Sequence, residues 1–263
     1  MVAASVLRIK RNKPDLTPGR RRVIPIVFMR PEARRGGAVK LIAHRGGRGF
    51  GTDNTIEAMR AAVRAGVRAI ETDVRETVDG RLALCHDAIV RGRAVGRLTY
   101  EELISHEPAR PLLEDLLEEL AGWCAFNLEV KGAREESVSE MFDIYRLEAD
   151  TLVTSFDRDF LERFKRLRPG AMTGYLYRMP YGKERKLSSA SEIGADVILP
   201  HFHGVDEELV ERARGLGLKV YTWTVNDLDD LDRLASLKVD GVITDRYLAF
   251  KAHVEETMAG QEE

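Results

Sequence analysis

The sequence predicts an α/β protein: a (β/α)8 TIM-type barrel with a short β-hairpin and loop excursion after the second strand. From residue 39 onward, short β-branched or apolar runs alternate with amphipathic helical patterns, and eight of the runs read as barrel strands. Strand-helix repetition with eight strands favours a closed parallel barrel over an open sheet. The length of 263 residues agrees, because such barrels often form one domain of about 250 residues.

Each predicted strand is a short run that precedes a helical pattern. The eight runs are Lys40–Ala43, Ala69–Asp73, Ala125–Glu129, Thr151–Thr154, Met172–Leu176, Val197–Pro200, Lys219–Trp223 and Gly241–Thr244. The segment from Asn54 to Gly66 is typical of the helices between them, with Met59 and Ala62 on one apolar face. We expect the barrel to occupy residues 39–255 and residues 256–263 to form a tail.

The first 38 residues form a basic arm outside this alternation. Ten Lys/Arg face only Asp15 and Glu32, a formal charge of +8, so the remainder carries about −10. We expect the arm to be disordered, and translation from Met29 is an alternative start. Weak contact with an anionic membrane surface is another interpretation. No aromatic interleaving or nucleic-acid motif accompanies the charge, so we expect no specific nucleic-acid partner.

Residue usage indicates the compartment and the working temperature. Cys85 and Cys124 make no disulfide framework, and no apolar run approaches the roughly 18 residues of a membrane span. We therefore expect a soluble, cytoplasmic protein, whereas the sequence does not indicate its oligomeric state. One glutamine and four asparagines among abundant arginines are typical of thermostable proteins.

A ninth strand-like run, Arg81–Asp87, follows the second barrel strand through Asp79-Gly80, a strong two-residue hairpin signal. If Val78 pairs with Arg81, Asp73 lies opposite His86, at roughly 5 Å. Glu71 shares one face of its strand with Asp73, because side chains alternate with period two. The hairpin is therefore expected to bring a histidine against two carboxylates.

Active sites in this fold class lie where the barrel strands end. The polar residues at those ends are His44, Arg45, Glu71, Asp73, Glu129, Lys131, Trp223, Asn226, Thr244 and Asp245. Three carboxylates without cysteine suit Mg²⁺ or Ca²⁺ better than zinc. The two cationic side chains supply the charge that an anionic phosphoryl group needs. The histidine of the first strand and that of the hairpin remain for proton transfer.

Six motifs resemble the glycerophosphodiester phosphodiesterase family and occur in its order between residues 39 and about 250. They are HRG (44–46), DNT (53–55), ETD (71–73), HD (86–87), LEVK (128–131) and WTVN…GVITD (223–245). The resemblance implies a metal-dependent phosphodiesterase that releases an alcohol from glycerophosphodiesters and leaves glycerol 3-phosphate. Its substrate would be a small molecule.

The resemblance also implies roles for individual residues. His44 and His86 would form the acid-base pair, and Trp223 would pack on the glycerol moiety. Phosphate contacts map onto Arg45 and Lys131. The ligands of a divalent cation, Mg²⁺ or Ca²⁺ with Mn²⁺ as a further candidate, map onto Glu71, Asp73 and Glu129.

Two departures from the family pattern bear on the substrate. Asp53 stands where the family usually has Glu, and with Asn54 it is expected to support the metal ligands from behind. Asn226 is expected, with Asp245, to hydrogen-bond the backbone at the rim. The segment 88–111 is shorter than the insertion that the family carries after its HD motif, and we expect this to widen the opening of the active site.

Several alternatives stay open at this point. A wide mouth favours a lysophospholipase D acting on lysophospholipids as the alternative enzyme. A non-catalytic barrel that binds phosphate esters or a membrane surface is the other, although such a protein needs no acid-base pair. Direct attack by water and internal attack by the glycerol hydroxyl, which gives a cyclic phosphate, use the same residues. The sequence does not separate the acid from the base.

Overall fold

The computed structural model describes residues 39–178 and 182–259. The basic arm expected over residues 1–38 lies outside the described residues, as do residues 260–263 of the expected tail. No helix in the described part is long and apolar enough to cross a membrane.

Eleven strands and nine α-helices make up the described residues. The strands are β1 (Lys40–Ala43), β2 (Ala69–Glu76), β3 (Leu82–Leu84), β4 (Ile89–Val90), β5 (Arg93–Ala94), β6 (Ala125–Val130), β7 (Thr151–Ser155), β8 (Met172–Tyr177), β9 (Val197–Pro200), β10 (Lys219–Thr222) and β11 (Gly241–Thr244). The helices are α1 (Ile56–Arg64), α2 (Tyr100–His106), α3 (Leu113–Leu120), α4 (Glu135–Tyr145), α5 (Arg158–Leu167), α6 (Lys183–Glu192), α7 (Glu207–Gly215), α8 (Leu228–Ser236) and α9 (Tyr247–Ala259). Helix α9 thus includes residues 256–259 of the expected tail.

Eight parallel strands close into a barrel, which confirms the predicted fold class. They follow one another around the barrel as β1, β2, β6, β7, β8, β9, β10 and β11, and β11 pairs with β1. All eight predicted runs are strands, although β2 continues three residues beyond its expected end, to Glu76. Helices follow the strands on the outside, and β2 is followed by the hairpin strand β3 before its helix α3.

The barrel interior is filled by alternate residues of the strands. This cluster consists of Ile42, Ala69, Ala125, Leu152, Met172, Leu176, Val197, Leu199, Tyr221 and Ile243. Because strand side chains alternate between faces, the same face continues at the carboxyl end of each strand. The rim residues in that alternation are His44, Glu71, Asp73, Glu129, Phe156, Arg178, His201, Trp223 and Asp245. Every barrel strand therefore contributes to one rim.

The hairpin after β2 exists, but its predicted register is wrong by one residue. The observed pairs include Val74 with Leu84, so Asp73 lies opposite Cys85 rather than His86. Thr77 N donates to the carbonyl of Arg81 (2.9 Å), which leaves a three-residue loop in place of two. Of the loop residues only Gly80 has positive φ, 77°, as the last position of a three-residue turn requires.

The excursion after β3 adds a small two-stranded sheet and a helix before the barrel resumes. Strands β4 and β5 pair antiparallel, and Thr99 caps α2 by accepting a hydrogen bond from Glu102 N. Helix α3 then buries four leucines against the outside of the barrel. Val78 N in the hairpin loop donates to the carbonyl of Leu98 at 2.9 Å, so the excursion stays beside the β2–β3 hairpin.

Candidate active site

Three carboxylates meet at the rim because β2 and β6 are adjacent and in register. Asp73 pairs with Glu129 across the two strands, and Glu71 lies two residues earlier on the same face as Asp73. One carboxylate oxygen from each of the three lies within 4.8 Å of the others. Glu71 and Asp73 are buried. The structure thus brings together the three predicted metal ligands.

The three carboxylates concentrate negative charge where little water reaches them. Burial raises the pKa of Glu71 well above its usual value, and the charges of Asp73 and Glu129 raise it further. Burial also raises the pKa of Glu129. Lys131 Nζ compensates in part, since it lies 2.6 Å from Glu129 Oε1 and 3.2 Å from Asp73 Oδ1. Burial alone would lower the pKa of Lys131, but these carboxylates raise it.

The residues present fit a hard divalent cation. Glu71 Oε2 accepts the backbone N–H of Arg45 at 2.8 Å, whereas its Oε1 is buried with no hydrogen-bond partner among the described residues. A buried carboxylate oxygen without a donor is costly unless something positive faces it. An all-oxygen donor set suits Mg²⁺ or Ca²⁺.

His44 stands beside the acidic cluster in a short 3₁₀ turn that follows β1. Its Nδ1 lies 2.7 Å from Asp245 Oδ1, and its Nε2 lies 3.9 Å from Glu71 Oε2. Asn226 Nδ2 donates to the other oxygen of Asp245 at 2.7 Å. Burial would raise the pKa of Asp245, but the hydrogen bonds from His44 and Asn226 hold it below its usual value. Asp245 therefore remains ionised and orients the imidazole, in addition to its bond with Asn226.

The turn after β1 also delivers Arg45 to the cluster. Arg45 has a positive φ of 49°, which points its N–H at Glu71, and its Nε lies 3.9 Å from Asp73 Oδ2. Gly46 has a φ of 76°, which residues with a side chain rarely adopt, and a Cβ there would lie 2.7 Å from Met59 Cγ of α1. The glycine of the HRG motif thus fixes the turn against a helix.

Asn54 lies behind the acidic cluster and hydrogen-bonds one of its carboxylates. Its side chain is fully buried and donates from Nδ2 to Asp73 Oδ2 at 2.9 Å. Its Oδ1 accepts from the Thr72 hydroxyl at 2.7 Å, which fixes the amide orientation. Asp53 instead accepts a hydrogen bond from Arg45 Nη1 at 3.4 Å, so it acts on the cluster through that arginine.

His86 faces a cavity of about 550 Å³ next to the acidic cluster. Lys131, Phe156 and Arg178 line the same cavity. Lys131 connects the two parts of the site, since its ammonium group also touches the carboxylates. His86 Nδ1 lies 2.7 Å from Asp87 Oδ1, and this hydrogen bond lowers the pKa of Asp87. Both histidines therefore have a carboxylate partner.

Trp223 forms part of the rim through contacts on several sides. Its Nε1 donates to the carbonyl of Leu199 at 3.0 Å, and its ring packs edge-on against Phe156 with centroids 5.5 Å apart. The guanidinium of Arg178 lies 5.5 Å from the Trp223 ring centroid. The ring is partly exposed, so it remains accessible to a ligand at the rim.

Four residues of the site were not predicted from the sequence in the positions that they take: Arg75 and Arg178, and Asp87 and Asp245 as partners of the histidines. Asp245 follows the end of β11, and Asp87 follows His86 directly, so position alone could have suggested both carboxylate–histidine pairs. Arg178 continues the interior alternation of β8. Arg75 carried no such signal, since its partners are main-chain carbonyls.

Comparison with known proteins agrees with this geometry. A model of the glycerophosphoryl diester phosphodiesterase family matches residues 44–249. The chain is 30% identical over 228 residues to a glycerophosphodiester phosphodiesterase of Caldanaerobacter subterraneus subsp. tengcongensis, covering 78% of this chain and 93% of that protein. It is also 30% identical over 236 residues to a glycerophosphodiester phosphodiesterase of Bacillus altitudinis, covering 78% and 94%.

The fold is similar as well. A crystal structure of a glycerophosphodiester phosphodiesterase from Thermotoga maritima matches with a TM-score of 0.70 at 23% identity, covering 82% of this chain and 98% of that one. The family match covers every barrel strand after β1 and every motif residue described above, from His44 to Asp245. The chain therefore belongs to the glycerophosphoryl diester phosphodiesterase family and is a phosphoric diester hydrolase.

Proposed function

We propose that this enzyme hydrolyses glycerophosphodiesters to glycerol 3-phosphate and an alcohol, with a divalent cation and two histidines. The observation that carries the proposal is the convergence of Glu71, Asp73 and Glu129 within 4.8 Å, beside Lys131 and His44. Three carboxylates this close together, two of them buried, are unfavourable on their own, and a cation relieves their repulsion. Membership of the family supports the choice of substrate.

Glu71, Asp73 and Glu129 would hold the cation, which when bound supplies a Lewis acid that stabilises charge on a phosphoryl oxygen. The remaining chemistry belongs to the protein's own groups. Lys131 and Arg45 bring positive charge to the same place and suit a phosphate diester. Trp223, partly exposed at the rim, offers an apolar face for the glycerol carbons.

His44 and His86 would move the two protons of the reaction. In the hydrolytic route, a water oxygen forms a bond to phosphorus while one histidine takes its proton. The bond from phosphorus to the alcohol oxygen breaks, and the other histidine protonates that oxygen. Asp245 and Asp87 support this role, because each holds one imidazole nitrogen and leaves the other for the reaction.

Internal attack by the glycerol hydroxyl is a second route that these residues allow. The same histidine would take the proton of that hydroxyl, and a cyclic phosphate would form as the alcohol leaves. Both routes use one base and one acid, so they share the geometry described above.

Release of glycerol 3-phosphate from glycerophosphocholine and glycerophosphoethanolamine tests the proposal. We expect turnover with Mg²⁺, Ca²⁺ or Mn²⁺ and its loss with EDTA. Glu71→Ala and His86→Ala should each lower kcat by at least about 100-fold. Turnover that survives the chelator, or that both variants retain, would contradict the proposed metal and acid-base roles.

A lysophospholipase D activity is the second candidate, and the cavity beside the site favours it. Phe156 is 38% exposed there, and Phe160, Val130 and Ala133 extend the apolar wall. Such a wall offers a surface for an acyl chain. Turnover of lysophosphatidylcholine, compared with glycerophosphocholine on the same preparation, measures this activity. Undetectable turnover where glycerophosphocholine is cleaved would exclude the second candidate.

A further inference from the structure

Arg75 joins two loops that carry proposed site residues. It lies on β2 two residues after Asp73 and is partly buried. Its Nε and Nη2 donate to the carbonyl of His86 at 3.1 and 2.9 Å, and its Nη1 donates to the carbonyl of Lys131 at 2.7 Å. One guanidinium therefore connects the loop after β3 to the end of β6.

Arg75 hydrogen-bonds each of the two loops just beyond the point where the loop leaves its strand ladder. The ladder between β2 and the hairpin ends with Cys85 N donating to the carbonyl of Asp73 at 3.0 Å. On the other side, Lys131 N donates to the carbonyl of Val74 at 2.9 Å, just after β6 ends. Among the described residues, the hydrogen bonds found for the carbonyls of His86 and Lys131 come from Arg75.

The position of the His86 side chain depends on the hydrogen bonds that Arg75 makes to this loop. It is 34% exposed, and within the described part of the chain its side-chain hydrogen bond is with the neighbouring Asp87, which is itself on the same loop. That contact orients the ring relative to the loop and leaves the loop's position to the backbone. The guanidinium has five N–H groups in a rigid plane, and three of its nitrogens point at main-chain carbonyls. Its geometry thus sets the separation of the two loops.

We propose that Arg75 is a positioning residue, which holds the imidazole of His86 and the ammonium group of Lys131 on the same cavity. The effect of Arg75 on turnover rests on the proposed function, whereas its effect on the position of the loops rests on the hydrogen bonds alone. Lysine at this position has a single ammonium group and does not reproduce the planar fork to two carbonyls.

The kinetic test compares Arg75→Ala and Arg75→Lys with a matched control, Arg134→Ala. Arg134 also ties a loop to β2, through Glu76, but contacts neither His86 nor Lys131. We expect kcat for glycerophosphoethanolamine to fall about 100-fold in Arg75→Ala, the order of loss that misplacing a catalytic group by about 1 Å causes. Arg134→Ala should stay within about threefold of the parent protein.

Chemical rescue separates positioning from a general loss of stability. Methylguanidinium added to Arg75→Ala should restore kcat at least tenfold, and it should not restore His86→Ala. Arg75→Lys, which keeps the charge and avoids a large cavity, should remain at least tenfold impaired. Wild-type rates in either Arg75 variant, or a loss of kcat that methylguanidinium does not reverse, would overturn the inference.

Hydrogen–deuterium exchange tests whether Arg75 holds the two loops in place, and it needs no substrate. Peptides covering residues 85–88 and 131–133 should exchange faster in Arg75→Ala than in the parent protein, and should be unchanged in Arg134→Ala. If the parent protein cleaves no diester while these peptides respond, the proposed function fails and the positioning role stands. Unchanged exchange in both peptides would overturn the positioning role even if the enzyme is active.

Discussion

Replacing Glu71 by Gln should leave the metal-free protein at least as stable as the parent while removing its response to metal. The glutamine keeps an oxygen for the N–H of Arg45 but removes one of three charges within 4.8 Å of one another. At an effective dielectric constant of about 20, each pair of full charges at that separation repels by roughly 3.5 kcal/mol. Lys131 and partial protonation offset this, so we expect a gain of about 0–2 kcal/mol.

Binding of a divalent cation should stabilise the folded parent protein, because the cation offsets the repulsion among the three carboxylates. A cation at about 100 times its Kd stabilises a folded protein by about 2.7 kcal/mol, which in a domain of this size raises Tm by roughly 5–10 °C. The parent protein should show that rise, and Glu71→Gln should rise by less than about 2 °C. Thermal unfolding at pH 8, with EDTA and with each cation, measures both quantities.

Glu76→Gln is the matched control for this experiment. Glu76 lies on the same strand, but it binds Arg134 rather than the cluster. Burial would raise the pKa of Glu76, yet hydrogen bonds from Arg134 and Ser137 lower it, so its charge stabilises the fold. The control should therefore lose stability and keep the full metal response. An equal metal response in Glu71→Gln and the parent would refute our assignment of the ligand.

His44→Ala and His86→Ala should each lower kcat by about 100- to 10,000-fold and keep the metal-induced rise in Tm, as paired activity and unfolding assays would record. Because the pKa values of Glu71 and Glu129 are raised, they stabilise the metal-free fold at low pH, and this contribution should be lost as pH rises above about 4.5. The Tm rise caused by metal should grow over the same range, and a flat profile would count against the coupling. Deleting residues 1–28 should change neither Tm nor turnover, and a Tm below about 60 °C would contradict the expected thermostability.

Barrel strands were predictable because their burial and alternation appear directly in the sequence. The acidic cluster was predictable for the same reason, since Glu71, Asp73 and Glu129 follow from strand parity and from the rule that sites lie at the strand ends. The structure adds the parallel register that pairs Asp73 with Glu129. That register depends on contacts between residues that are 56 positions apart in the chain, and no local pattern encodes it.

The predicted register of the hairpin was wrong for a local reason. Asp79-Gly80 fits a two-residue turn, but the same pair also ends a three-residue turn in which Gly80 alone has positive φ. The difference of one residue moves Cys85 opposite Asp73. His86 then reaches the cavity from the loop beyond the ladder, where Arg75 holds its carbonyl.

A time course of glycerophosphodiester cleavage followed by ³¹P NMR tests the central claim most directly, because it resolves the diester, a cyclic phosphate and the phosphate monoester in one sample. With a divalent cation, the diester signal should be replaced by glycerol 3-phosphate, with or without a transient cyclic species. With EDTA, or in metal-loaded His86→Ala, it should persist. A diester signal that persists in the folded, metal-loaded parent protein would contradict the proposed function.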